Sequence, residues 1–285
     1  MFFVLLPILL LYFTFLVLPI GAGFVMSFFD YNPLRTNNDF VGLANFARLT
    51  NDPVFFKALR NTLYFVFATV PLNIIITLII AQLISSLDWS KLRASFRVLF
   101  FMPCIAPLVA SSMVWKQLYN VRYGIINSML EGLFNIQPIN WLGTQSLVIP
   151  SVILFTLWAD MGYNVIIFSA GMDGIPSDFY EAANIDGAGP ISRFFNITLP
   201  LLGRTFSFVI AMTFISHFQM FAQFQVLATK GGPNNAGTVL TYLIYKTAFQ
   251  NKNMGYASAI AITLFLLIMI FTIVQQRVNR VDWGY

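Results

Sequence analysis

Apolar residues run along this chain in long uninterrupted stretches, and polar residues gather between them. Runs of roughly 20 residues, enough for a helix to cross about 30 Å of hydrocarbon, occupy approximately 2–26, 60–83, 98–118, 147–170, 204–227 and 255–275. The pattern predicts an all-α membrane protein with six transmembrane helices. The run at 2–26 lacks a basic leading segment, is too long for the apolar part of a secretory signal and is followed by five more runs, so it reads as a retained helix. Pro71, Pro103 and Pro107 fall inside runs, where each removes a backbone hydrogen bond and should kink its helix.

Composition agrees. The 285 residues are 58% hydrophobic and 9% charged, with 31 Phe, against about 25% charged in an average soluble domain. So little charge cannot hydrate the surface of a soluble core. The net charge of +5 comes from 16 Lys and Arg scattered over the connecting segments, which gives no nucleic-acid footprint. Cys104 is the single cysteine and lies within an apolar run, so neither an internal disulfide nor a Cys/His metal site is expected. No G-x-x-x-x-G-K-[ST] phosphate loop occurs; GGPNNAG at 231–237 has glycines without the Lys-Ser/Thr. The one histidine, His217, has no companion Cys and no G-x-S-x-G elbow. The chain is therefore expected to be no enzyme and to bind no cofactor or metal of its own.

Orientation is less plain. Lys91, Arg93, Arg97, Arg193, Arg204, Arg277 and Arg280 fall on one side of the predicted membrane, and a larger but more dispersed basic set falls on the other. The compact basic hairpin SSLDWSKLRASFR at 85–97 favours the first side as cytosolic. Six spans then put both termini and the 171–203 loop there as well.

That loop contains the stretch YEAANIDGAGPISRFFNITLP at 180–200, a watery insertion between two oily runs. Ser177 after Pro176 suits an N-cap, Asp178 suits the positive first turn, and Gly187 falls where a left-handed stop belongs. A second helix can open at Pro190 and carry Phe194, Phe195 and Ile197 towards Pro200. Such a helix-turn-helix is too short to bury Phe179, Tyr180, Ala182, Ala183 and Ile185 by itself. It must lie on lipid headgroups or fill a groove in a cytosolic partner.

Glu181-Ala182-Ala183, three residues, Gly187, nine residues, Ile197, one residue, then Leu199-Pro200 resembles the EAA signature of permease subunits in binding-protein-dependent ABC importers. DFVGLANFARLTNDPVFFKALRNTLYF at 39–65 and the 230–259 segment, from KGGPNNAGTVLTYLIYKTAF to MGYASA, resemble the sugar-uptake branch, the maltose permease family, and its first-listed permease. The resemblance implies one type I permease domain over 1–285, with 171–203 as a cytosolic coupling loop. It implies that Tyr180, Glu181, Ala182, Ala183, Asp186 and Gly187 meet the ATPase. Physically, Glu181 suits a charge-assisted contact, the alanines keep the helix thin, and Gly187 permits the turn or is simply a C-cap. The implied partners are a second homologous permease, an ATP-binding cassette dimer using ATP and Mg, an extracytoplasmic sugar-binding protein or lipoprotein, and membrane lipid. The implied setting is the plasma membrane of a prokaryote, and the implied cargo is a neutral saccharide. A polyol, glycerol phosphate or amino acid is the alternative cargo, and a stand-alone channel or secondary transporter the alternative class. The loops 120–146 and 228–254 are candidates for contacting the binding protein.

Polar residues inside spans are costly and tend to face protein or a wet cavity. The fourth span carries Trp158, Asp160, Tyr163 and Asn164; the fifth carries Thr213, Ser216, His217, Gln219, Gln223 and Gln225. Thr213, His217 and Met220 follow helical spacing on one face, with Ser216, Gln219 and Gln223 on the next. By resemblance, the maltose permease lines its sugar site from these two helices. Trp158 and Tyr163 then match in type, and Thr213 and His217 match in position only. Trp158, Asp160, Tyr163, Thr213, His217, Gln219, Met220 and Gln223 are thus the candidate substrate contacts. The competing reading, hydrogen bonding between helices, is preferred for Asn164 and Gln225 and stays open for Tyr163, Thr213 and His217. Asp160 could meet solute or a basic group on the partner permease.

Overall fold

The computed structural model describes residues 2–278; Arg280 and the C-terminal end, part of the orientation argument above, lie outside the described residues. Helices joined by turns make up the described chain, with one isolated bridge between Phe29 and Phe40.

Five helices are long and apolar enough to cross a bilayer: Leu5–Met26, Pro53–Ser85, Val148–Asp173, Gly203–Leu227 and Met254–Arg277. The run expected as the third span is two helices, Ser90–Ile105 and Leu108–Leu118, which meet at 92°. A count of six therefore requires this bent pair to be a single span. The corner has a local cause. Ala106 is extended, with φ −68° and ψ 138°, as expected of a residue whose α conformation clashes with the ring of a following proline, here Pro107. Pro71 and Pro103 each lie inside a helix that continues past them. Two other prolines are accommodated by widened turns. Leu18 N–H donates to Phe13 O just before Pro19, and Leu199 N–H donates to Phe194 O just before Pro200. A proline offers no N–H and crowds the carbonyl one turn back, and a five-residue hydrogen-bonded turn relieves both.

The described chain packs as two compact units. The first comprises residues up to Thr62 together with Thr238–Leu267. Its Leu5–Met26 helix leaves apolar side chains such as Leu9, Phe15 and Ile20 uncovered, a surface suited to lipid. The turn after it is held by Asn45, whose Nδ2 donates to Ser27 O at 2.8 Å and Phe29 O at 2.9 Å. Tyr256 Oη donates to Asp52 Oδ2 at 2.7 Å, and the Arg48 guanidinium sits 4.2 Å over the Tyr256 ring.

The second unit comprises Leu63–Gly237 and the chain from Ile268. Its centre is the Val148–Asp173 helix, 61% of whose apolar window is buried. Val152, Phe155, Val165 and Phe168 of this helix are buried, as are Phe65, Val66 and Val70 of the same unit. The Ser90–Ile105 helix packs along it through Gly162. A Cβ placed on Gly162 would fall 2.1 Å from Phe100 O and 2.7 Å from Phe101 Cα, so the two backbones touch where only hydrogen fits. At the end of the same pair Arg97 and Asp173 form a 2.8 Å ion pair, which sets the 85–97 hairpin beside the start of the 171–203 loop.

Gly162→Val should therefore destabilise the protein by about 1–3 kcal/mol through overpacking. Gly132→Ala, inside a helix where a Cβ meets nothing within 4 Å, should cost no stability and raise it by up to about 1 kcal/mol. Thermal melting of the two purified variants in detergent checks the difference, and equal melting temperatures would refute the close contact.

Candidate functional site

Two features of the second unit bring the sequence-predicted residues together: a short exposed helix-turn-helix and a polar cavity between helices. They are covalently adjacent. The Val148–Asp173 helix leads into the first feature, and the first feature leads into Gly203–Phe218.

The expected short helix is Ser177–Ile185, with Asp178 in its first turn. It starts one residue earlier than expected. Pro176 occupies the cap position and Ser177 is already helical, with no side-chain cap bond. Its end follows a Schellman pattern: Gly187 has φ +73°, its N–H donates to Asn184 O at 3.1 Å, and Ala188 N–H donates to Ala183 O at 2.9 Å. A second helix opens at Pro190, as expected, and continues through the widened turn to Leu201. The two helices are tied by Tyr180 Oη and Thr198 Oγ1, 3.0 Å apart, and by the Arg193 guanidinium donating to Asn184 Oδ1.

This bracing fixes which residues face outward. Ala183 is buried against the module, while Glu181, Ala182, Asp186 and Gly187 are exposed. Apolar side chains are exposed too, with Ile185 at 88% and Ile191 at 76%. Tyr180 is half-buried because its hydroxyl serves as the internal brace.

The cavity, of about 370 Å³, lies between three helices. Val148–Asp173 contributes Asp160, Tyr163 and Asn164; Gly203–Phe218 contributes Met212, Thr213, Ser216 and His217; Ser90–Ile105 contributes Cys104. Asn164 Nδ2 donates to Asn73 Oδ1 at 2.7 Å and to Thr213 Oγ1 at 3.0 Å. Three helices are thus joined through one buried amide. The His217 ring lies 6.0 Å from the Phe65 ring at 23°, and its Nδ1 is 2.8 Å from Thr213 O. Its Nε2 is buried without a partner. Asp160 is half-buried and makes neither an ion pair nor a hydrogen bond among the described residues.

Of the eight candidate substrate contacts, Asp160, Tyr163, Thr213 and His217 line this cavity. Trp158 instead packs on Trp115 and Phe155, with ring centres at 5.5 and 6.2 Å. The helical spacing that grouped the rest stops at Phe218, where the helix ends, and a new short helix begins at Ala222. Gln219 and Met220 lie in the break, and Gln223 is buried in the following helix. Asn73 was missed because one amide inside an apolar run has no periodic signal, and Met212 because it reads as lipid-facing. Asn164 does bond across helices, the reading preferred for it.

The sequence from 46 to 281 matches the family described as the binding-protein-dependent transport system inner membrane component. Among curated relatives, the multiple sugar-binding transport system permease protein MsmF of Streptococcus mutans is 34% identical, over 95% of this chain and 92% of its own length. The trehalose/maltose transport system permease protein MalF of Thermococcus litoralis is 32% identical over 96% and 92%. Among solved structures, a bacterial ABC transporter involved in the import of the acidic polysaccharide alginate aligns with TM-score 0.87 at 20% identity, over 99% of this chain and 95% of that one. This last likeness concerns the fold.

The Asn73–Asn164–Thr213 network yields a measurable expectation. Asn164→Ala should cost about 1–2 kcal/mol, the scale of a hydrogen bond between membrane helices. A double-mutant cycle with Asn73→Ala, followed by thermal unfolding, should give a non-zero coupling energy; strict additivity would disprove the bond.

Proposed function

Because the chain belongs to the family of binding-protein-dependent transport system inner membrane components, we propose that it is the transmembrane subunit of an ATP-driven sugar importer and forms half of a pathway for a neutral saccharide. The multi-pass membrane chain transports and does not hydrolyse ATP. The sugar cargo is supported by relatives whose names refer to multiple sugars and to trehalose and maltose. One permease domain over the chain, with 171–203 as its coupling loop, is supported by the family match at 46–281.

One observation carries the coupling role: the EAA stretch forms a braced helix whose outward residues include both a carboxylate and an exposed isoleucine. A short helix that leaves Ile185 88% exposed is built to be covered. Glu181, Ala182, Asp186 and Gly187 are its contact face for a cytosolic ATPase dimer, and Tyr180 and Ala183 hold that face in shape. On this reading the 85–97 hairpin, the 171–203 loop and both termini are cytosolic, and ATP and Mg are used by the ATPase. A second homologous permease completes the pathway.

Transport then follows from the connectivity. An extracytoplasmic binding protein delivers the saccharide, closure of the ATPases moves the coupling helix, and the two helices joined to it change the access of the cavity between them. Asp160, Tyr163, Thr213 and His217 meet the sugar there, with hydroxyls taking the polar groups and a C–H face of the ring lying on Tyr163. Trp158, Gln219, Met220 and Gln223 act from around this wall.

Reversing the charge at Glu181 gives the direct test. In proteoliposomes holding the chain with its neighbouring permease, ATPase and binding protein, Glu181→Lys should lower sugar-stimulated ATP hydrolysis about tenfold or more, the scale of a broken interfacial charge contact. Hydrolysis that ignores both the substitution and every saccharide offered would overturn the proposal.

A further inference from the structure

The cavity wall has a chemical bias that the proposed sugar pathway leaves unexplained. It contains one carboxylate, Asp160, and neither lysine nor arginine. Asp160 belongs to neither of the ion pairs Arg35–Asp30 and Arg97–Asp173, and no cation of the lining offsets it.

His217 strengthens the bias. Its Nδ1 is 2.8 Å from Thr213 O, and a carbonyl oxygen can only accept, so Nδ1 carries the hydrogen. The neutral ring then leaves Nε2 as a lone pair, and that atom is buried with no partner. The Asn164 amide of the same wall gives its hydrogens to Asn73 and Thr213. His217 therefore brings neither a cation nor a free N–H to the wall, and Asp160 is its one charged side chain.

We propose that Asp160, in a wall that holds no cation, makes the cavity a filter that admits donor-rich neutral saccharides and rejects anionic ones such as uronates and sugar phosphates. The assignment rests on the sugar-importer reading. Hydroxyl hydrogens satisfy the Asp160 carboxylate. A carboxylate or phosphate brings further acceptors and a like charge into a poorly screened space, where repulsion is strong.

Cys104 reports the field directly. It is the chain's only cysteine, lines the same cavity, and lies within electrostatic reach of Asp160. In the assembled complex it is treated with methanethiosulfonates bearing either an ammonium or a sulfonate group, and the Cys104 peptide is read by mass. Each rate is divided by that of free cysteine, which cancels intrinsic thiol reactivity. Wild type should favour the cationic reagent about tenfold, and Asp160→Asn should abolish the preference while Asp160→Glu keeps it. A neutral oligosaccharide should slow modification, and the same oligosaccharide oxidised to a C6 carboxylate should not.

A wild-type ratio equal to that of free cysteine overturns the filter, and needs no variant to fold. So does protection by the uronate equal to that by the neutral sugar. If the charge preference holds but no saccharide slows modification or enters proteoliposomes, the acidic wall is supported and the sugar reading fails.

Discussion

Polar atoms dissolved in hydrocarbon must find each other, because there is no water to take them. That requirement organises the second unit. Asn73, Asn164 and Thr213 come from three helices widely separated in sequence and meet in one set of hydrogen bonds. His217 is held by the carbonyl of Thr213, one turn earlier on its own helix. With Asn73 Oδ1, Asn164 Nδ2 and Thr213 Oγ1 committed to one another, the remaining wall of the cavity is left to residues that can turn towards a solute. The network is a scaffold, and Asp160 and Tyr163 are what it displays. Close backbone contact makes this possible, since Gly162 lets the Ser90–Ile105 helix bring Cys104 against the same wall.

The short helix at Ser177–Ile185 obeys a different logic. Its exposed backbone end is closed by ordinary turn chemistry. The left-handed Gly187 and the bond from Ala188 N–H to Ala183 O finish the helix in five residues. Because the closure is local, the side chains that are not used for bracing remain available for a partner.

This difference accounts for what could be read in advance. Features governed by near neighbours were legible: the apolar runs, the short helix, its glycine stop and the opening at Pro190 all depend on residues a few positions apart. The corner at Pro107 was partly legible, since proline restrains the residue before it. Hydropathy averaged across 98–118 nevertheless sees one run where the backbone turns by 92°. The break after Phe218 was not legible at all. Gln219, Met220 and Phe221 carry neither glycine nor proline, so helical spacing was extended to Met220 and Gln223 past the point where the helix stops. Asn73 depends on a partner 91 residues away, a distance over which periodicity says nothing.

The two breaks share one position in the architecture. Ser90–Ile105 ends one residue after Cys104, and Gly203–Phe218 ends one residue after His217, and both residues line the cavity. Beyond the breaks, Leu108–Leu118 and Ala222–Leu227 pack on each other; before them, Ser90–Ile105 and Gly203–Phe218 pack on Val148–Asp173. Irregular backbone at membrane depth is tolerated where it is buried in protein or borders a wet space, and here it borders the polar cavity. Leu108–Leu118 and Ala222–Leu227 also touch Val148–Asp173, so that helix runs past both breaks. The cavity sits where the backbone of two of its helices is discontinuous, beside Val148–Asp173, which runs through unbroken.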